Sequence, residues 1–588
     1  MSSLEIDLDD VLEELGHFGK YQILSFVLMG FPTLFLAATS TSFVFTAAEL
    51  NYRCYVPDCD GSPVGADFSP HWLQNAVPVD TRGDLLKPAH CRRYIRNSSV
   101  VADIFNSTCP ALLFTNTTER CDEWVYEGFE TSIQSEWDIT CDEELWKLGM
   151  VGTVNNFGYL LGLPVFGYIS DRFGRKKVFM YGMGLTSILG FARAYANNYM
   201  TYLVLEFLAM FVMGGNFSSI FILGMELMGP KRRAVAGIVI NAFDSLGPAI
   251  LGLAAWWLKD WKKLILALYV PSLLFIAYYW LLQESVRWLM AQGRMKEAGD
   301  IVKAAAKTNG VILSEGALKK FDVAQKPQRK ECSHMLVAEG EGDGQIHVCC
   351  EERELPSTPS LQTAVLQVFR SHVLLPRLLN CCYCWITNTF VYTGLSLNSV
   401  SLAGNKYENF VLSSLVEQPA CILTYFMMDS IGRKATLCST LVFSGTACFA
   451  CLLVPNDLTW VTTMLFMMAK FAITVSFCAL YSFTAEIFPT QLRNSLLGTC
   501  SMIGRLGSLA ATQTSTLARY MESLPLILYG SMTVASGLLA LLFPETKNTK
   551  MPDTVEDAEN FGRKPSRKFS SLVTSETCNV KGSADAAA

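Results

Sequence analysis

The sequence predicts an all-α membrane protein: twelve transmembrane helices in two six-helix halves, with a large extracellular loop between helices 1 and 2. Three observations predict it. The chain of 588 residues is 51% hydrophobic and only 17% charged, a balance poor in charge for a soluble protein of this length. Its apolar residues gather into charge-free windows as long as a bilayer core requires. A polar loop pattern also recurs 258 residues further on, with Asp171 and Asp429 in matching places.

The windows follow one another along the chain. No charge falls between Lys20 and Glu49, Lys147 and Asp171, Lys263 and Glu284, Arg377 and Lys406, Lys434 and Asp457, or Glu522 and Glu545. Each is long enough for a helix of about 20 residues to cross the hydrocarbon core. Five more windows qualify when one embedded charge is allowed in each, and a twelfth runs from Val178 past Arg193. The acidic opening MSSLEIDLDDVLEEL precedes the first window, so no cleavable signal peptide is expected. The short loops GRKK (174–177) and PKRR (230–233) are basic and should face the cytosol, together with both termini.

The interval 46–145 holds 17 acidic against 7 basic residues, six cysteines (Cys54, Cys59, Cys91, Cys109, Cys121, Cys141) and the sequons of Asn97, Asn106 and Asn116. Paired cysteines beside glycosylation signals imply an oxidising, extracellular loop with up to three disulfides, whose pairing stays open. The sequon at Asn216 falls inside a span and is set aside. The expected organisation is a cytoplasmic N-terminus (1–20), a first half (21–282) including the loop, a cytoplasmic linker (283–377), a second half (378–543) and a cytoplasmic tail (544–588).

GYISDRFGRKK (167–177) joins spans two and three, and MDSIGRKA (428–435) joins spans eight and nine. Glycine permits a tight reversal there, Arg and Lys anchor the inner face, and the Asp is expected to pair with a neighbouring helix. Duplicated halves are how many secondary transporters place a site on a pseudo-symmetry axis.

These residues carry a resemblance. The chain resembles the major facilitator superfamily, and within it the organic cation/anion/carnitine transporters of solute carrier family 22, near the carnitine carriers and insect-type members. The supporting stretches are the Cys-rich first loop, SEWDITCD (135–142), GYISDRFGRKK, ESVRWLMAQGR (284–294), TAEIFPTQLRN (484–494) and FPETKNTKMPDTVED (543–557). Gln283 departs from the family, which usually has Pro there. The resemblance implies the major facilitator fold and a set of conformational-gating residues. In the first half these are Gly167, Asp171, Arg172, Gly174, Arg175, Glu226, Glu284 and Arg287. In the second they are Asp429, Gly432, Arg433, Glu486 and Arg493.

Charges inside the spans mark a site. At 1.5 Å per residue, Arg505 stands about 17 Å up span eleven, Asp244 about 15 Å up span five, and Glu417 about 18 Å above Asp429. All three come to one level, and intramembrane charges are functional by default. The plainer reading is an internal ion pair of Arg505 with Asp244 or Glu417. The resemblance implies that Arg505 occupies the substrate-discriminating place of span eleven, where anion and carnitine carriers have Arg. It then serves as a fork for a carboxylate. Asp244 stands where relatives often have Tyr and is read as receiving an ammonium, while Glu417 is a substrate-binding, structural or coupling acid. Anion carriers place a Lys four residues after Glu417; Cys421 stands there. Counting these three groups, the cavity is −1, which favours a zwitterion or a cation over a simple anion.

Family positions lining the cavity fall on Trp385, Tyr392, Phe477, Tyr481, Phe217 and Ser40, and the aromatic faces suit an ammonium by cation–π attraction. Ordinary helix packing is the alternative for each. Glu206 and Lys470 are expected to act as gates or to pair with each other. No His lies in mid-span, and no P-loop is present. CSH (332–334) and HVCC (347–350) offer zinc ligands, but the intervening Gly/Glu-rich AEGEGDG (338–344) argues for disorder, so no metal site and no cofactor are expected. CCYC (381–384) reads as helix packing.

The reading is a plasma-membrane secondary transporter, not an enzyme, with the lipid bilayer as its surroundings and no nucleic-acid partner. Its substrate is a small organic cation or an amine-bearing zwitterion such as a carnitine-like betaine, β-alanine or a biogenic amine derivative. A coupling ion, sodium or proton, is compatible with it. The alternatives are an organic anion carrier, a sugar porter, which the charged cavity disfavours, and a non-transporting membrane receptor.

Overall fold

The computed structural model describes residues 11–561, apart from 81–86, 98–108, 229–232, 315–367, 548–551 and single or paired positions elsewhere. Asn106, most of the PKRR loop, and the CSH, HVCC and AEGEGDG stretches therefore lie outside the described residues.

Twelve long helices follow in order. They are α1 (Lys20–Ser40, continued by Phe43–Thr46), α2 (Trp146–Phe173), α3 (Arg175–Ala194), α4 (Tyr199–Glu226), α5 (Arg233–Leu258) and α6 (Trp261–Leu281). The second set is α7 (Leu374–Asn398), α8 (Lys406–Ser430), α9 (Arg433–Leu453), α10 (Thr459–Ile487), α11 (Arg493–Ala511) and α12 (Leu524–Ala540). Among the described residues, seven of these (α1, α4, α5, α6, α8, α9 and α10) are long and apolar enough to cross a membrane by length and composition alone. The others are diluted by polar and small residues that face the bundle. Asn155 of α2 is buried, as are Thr387 and Asn388 of α7. Hydropathy under-reads such helices because interior packing in a membrane favours small and polar residues.

The two sets pack alike. In the first, α2 and α3 pack on α4, α1 on α5, and α3 on α6; in the second, α8 and α9 pack on α10, α7 on α11, and α9 on α12. Adding six to each helix number converts one list into the other. Two further helices, Val286–Ala291 and Met295–Asn309, follow α6 and bury Trp288, Leu289 and Val302 against Val11, Leu12 and Leu15.

The loop after α1 is built from short antiparallel pairs, Tyr52–Cys54 with Trp124–Tyr126 and Arg92–Arg96 with Phe114–Arg120. Its six cysteines pair as Cys54–Cys121, Cys59–Cys109 and Cys91–Cys141, with Cα–Cα distances of 5.7, 5.9 and 5.7 Å. Asn116 is exposed on its strand, whereas Asn216 is buried in α4 and donates to Thr186 Oγ1 at 3.3 Å. Among the CCYC cysteines, Cys381, Cys382 and Cys384 are buried in the core of the second half.

The halves meet toward the end that carries this loop. Phe45 of α1 stacks on Tyr407 and meets Phe410 edge-on, while Trp256 of α5 lies parallel to Tyr407. Lys406 at the start of α8 pairs with Glu130 of the loop. Thr153 of α2 bonds Thr512 at 2.9 Å and accepts from Gln513 at 2.6 Å. The two halves thus touch at the loop-bearing end, and the loop itself is tied to the second half through Glu130 and Lys406. A partly exposed ion pair is worth about 0–1 kcal/mol. Lys406→Gln is therefore expected to raise the outward-open population by up to about fivefold. Labelling of a Thr153→Cys reporter by an impermeant maleimide measures this, and an unchanged rate would remove the pair from the gate.

Candidate functional site

The charges inside the bundle divide into those already paired and those that are not. Glu206 of α4 pairs with Arg193 of α3, both fully buried. Asn155 donates to Glu206 Oε1 at 2.7 Å, and the Arg193 guanidinium lies over the rings of Tyr202 and Tyr269 at 5.4 and 5.3 Å. Glu417 of α8 pairs with Lys470 of α10 at 2.9 Å, again with almost no exposure. The expected pairing of Glu206 with Lys470 is therefore corrected: each belongs to its own half and finds its partner there. Glu417 is likewise not an open cavity charge. Including Lys470, the four groups Arg505, Lys470, Asp244 and Glu417 sum to zero rather than −1.

Asp244 and Arg505 make no ion pair among the described residues. Both are half-buried, and Asp244 lies within electrostatic reach of both Glu417 and Arg505. The internal pair of Arg505 with an acid, the plainer reading of the sequence, does not form. The Arg505 guanidinium instead lies over the ring of Tyr159, 4.5 Å from its centroid. Tyr159 is on α2, so the two halves meet across this contact. Beside Asp244, Gln418 of α8 donates to Ser245 Oγ and to the Ala242 carbonyl of α5, which locks the halves at the same level.

Four of the six expected cavity side chains form one cluster on α7 and α10. Tyr392 stacks on Phe477 at 5.5 Å, Phe477 meets Tyr481 edge-on at 5.3 Å, and Trp385 meets Tyr481 at 4.5 Å. Trp385 is only 1% exposed and donates Nε1 to Thr484 Oγ1 at 3.0 Å, which makes it the most buried member of the cluster. Tyr481 is its most open member, at 38%. Phe217 stands apart on α4, stacked on Phe221 at 6.0 Å. The half-buried Ser40 hydroxyl donates to the Ala37 carbonyl of its own helix at 2.9 Å.

Sequence reasoning missed Tyr159, Gln418 and the partners of Lys470 and Glu206. Only mid-span placement marked the first two. Helical depth was legible, but which neighbour each side chain faces depends on packing.

The helix ends away from the disulfide-bonded loop repeat a charge cluster. In the first half Arg175 bonds Asp171 at 2.9 Å and Glu226 at 3.6 Å. In the second, Arg433 bonds Glu486 at 3.2 Å and approaches Asp429 at 3.9 Å. Each Asp, at the end of its helix, meets the Arg that opens the next helix, and that Arg also reaches a Glu on a third helix, Glu226 of α4 or Glu486 of α10. Glu284 accepts from the Lys176 amide at 3.1 Å, and Glu545 from the Arg433 amide at 3.0 Å, so a carboxylate caps each following helix where its dipole is positive. Arg172 lies against the Phe173 ring, Gly167 has open space around it, Arg287 lies in the ESVR stretch after α6, and Arg493 opens α11 after TQL.

Gly174 (φ +106°) and Gly432 (φ +98°) make these turns possible, and a Cβ at Gly432 would lie 2.9 Å from Glu545 Oε2. Backbone strain at such angles costs about 1–3 kcal/mol. Gly432→Ala is expected to lower the melting temperature of the purified protein, whereas Gly167→Ala leaves it unchanged. Equal melting of both would remove the turn geometry from the account.

The sequence profile of the Major Facilitator Superfamily matches residues 121–512. The "Organic cation transporter protein" of Drosophila melanogaster is 33% identical over 561 residues, covering 95% of each chain. Human "Organic cation/carnitine transporter 2" is 31% identical, covering 94% of this chain and 93% of its own. Mouse "Solute carrier family 22 member 21" is 30% identical, covering 96% and 95%. Among solved structures, the partially occluded inward-open xylose transporter XylE of E. coli superposes with a TM-score of 0.55. It covers 90% of this chain and all of that one at 15% identity, a likeness of fold. With the duplicated six-helix halves and the repeated charge clusters, these matches place the chain in the major facilitator superfamily, among the organic cation/carnitine transporters of solute carrier family 22.

Proposed function

We propose that this secondary transporter of the organic cation/carnitine type carries a small zwitterion with an ammonium at one end and a carboxylate at the other. Carnitine-like betaines, β-alanine and related amino acids are the leading chemistry. The observation that supports this reading is the pair of opposite charges, Asp244 and Arg505, that make no ion pair among the described residues while the buried Glu206 and Glu417 are paired. Arg505 offers a planar fork to a carboxylate, and Asp244 offers an anionic partner to the amine. Phe477 and Tyr481 supply apolar and cation–π surface beside them. A human relative's name includes carnitine, itself a zwitterion, which agrees with the charge pattern.

All twelve helices then span the plasma membrane with both termini cytoplasmic, and the halves rock about the site in alternating access. A zwitterion gains nothing from the membrane potential, whereas a free cation gains about 2.3 kcal/mol per 100 mV. Net uptake of the zwitterion against a gradient therefore needs a co-transported ion, sodium or proton. A second reading, transport of a simple organic cation or a biogenic amine derivative, is favoured by Asp244 alone. Saturable uptake of labelled β-alanine and carnitine, beside a carboxylate-free amine and a simple anion, separates these readings. Uptake of the anion alone would contradict both, and saturable binding without uptake would leave a receptor.

A further inference from the structure

We propose that the pocket formed by Glu417, Tyr392 and Ser396 is an ammonium-binding site that the chain fills with its own Lys470, and that Lys470 thereby sets the charge class of the substrate. The inference deepens the proposed function and rests on that reading for its transport arm only.

Lys470 Nζ is fully buried and bonds Glu417 Oε1 at 2.9 Å, Ser396 Oγ at 2.6 Å and the Tyr392 carbonyl at 3.3 Å. An ammonium has three donors and no acceptor, so all three are satisfied. The same nitrogen sits 3.4 Å from the centroid of the Tyr392 ring. The Tyr392 hydroxyl in turn donates to Glu417 Oε2 at 2.7 Å, and its other face is stacked on Phe477. A carboxylate, a hydroxyl, a carbonyl and an aromatic face around one nitrogen form a complete receptor for a primary ammonium.

Two consequences follow. Tyr392 has no free face to offer a substrate amine while Lys470 is present, which leaves Asp244 as the acid open to it. Removing the Lys470 charge would give the four-charge group a net −1 and vacate a preformed cation site. Glu417 links the two positions, since it lies within electrostatic reach of Asp244.

The test uses the full chain with Lys470→Met, which keeps the apolar stem and removes the ammonium. Methylammonium chloride is the probe, against sodium chloride at equal ionic strength. Thermal melting of Lys470→Met is expected to rise with methylammonium, while wild type and Lys470→Met/Glu417→Gln do not respond. If Lys470→Met does not fold alone, purification in methylammonium is expected to recover it; failure to recover overturns the proposal. An unresponsive melting curve of the folded single variant overturns it equally. In uptake, the ratio of a carboxylate-free amine to a zwitterion is expected to rise at least about tenfold in Lys470→Met. The melting result needs no transport. A wild type that carries no zwitterion would therefore sink the proposed function while leaving the ammonium site standing.

Discussion

Replacing Arg505 by alanine is expected to lower the uptake efficiency for a zwitterion by about 100-fold, the equivalent of about 2.7 kcal/mol. Truncating one partner of a desolvated, hydrogen-bonded charge pair costs about 2–5 kcal/mol, so the estimate lies inside that range. Its direction follows from geometry. Arg505 is half-buried, makes no ion pair among the described residues and is held by the ring of Tyr159, so nothing in the bundle replaces a lost guanidinium. Arg505→Lys keeps the charge but loses the planar fork, and an intermediate loss is expected. Initial rates over a range of substrate concentrations measure both. A fall of less than about threefold in the alanine variant would mean that Arg505 does not contact the substrate.

Glu206→Leu is expected to destabilise the protein by about 3–5 kcal/mol, because it strands the fully buried Arg193 without its carboxylate. The loss is read as reduced surface expression and a lower melting temperature. Removing both charges, with Glu206→Leu and Arg193→Met together, is expected to restore most of it, since apolar replacement of a whole buried pair is often neutral. Asn155 and Ser42 would each lose one partner in the double variant, so recovery is expected to be incomplete. The contrast with Arg505 is informative: one substitution attacks the fold and its rescue is internal, the other attacks only transport. A Glu206→Leu variant that melts like wild type would show that the pair carries no stability.

Much of this architecture is legible in the sequence, for reasons that particular residues make clear. Charge-free windows locate the helices because a bilayer excludes charge, and the Asp171/Asp429 repeat exposes the duplication. Depth along a helix can be counted, which is how Arg505, Asp244 and Glu417 come to one level. Azimuth cannot be counted. Glu206 and Lys470 look like two stray charges of opposite sign, yet each faces a neighbour in its own half, Arg193 and Glu417. Lys470 stands about 24 Å above Glu486 along α10, yet its long side chain reaches the Glu417 carboxylate on α8. The disulfide pairing was equally closed to inspection, since six cysteines allow 15 connectivities. α11 also ends sooner than the stretch around Arg505, otherwise free of charge to Ala518, would allow: it stops at Ala511, and Thr512 and Gln513 bond Thr153.

The central claim is that Arg505 reads the carboxylate of a zwitterion. It is tested most directly by comparing a betaine with its methyl ester, which keeps the ammonium and removes the negative charge, in wild type and in Arg505→Ala. Wild type is expected to prefer the betaine by about 100-fold, and the variant to transport the two alike. If Arg505→Ala keeps the wild-type preference, the carboxylate is read elsewhere and the account of this site is wrong.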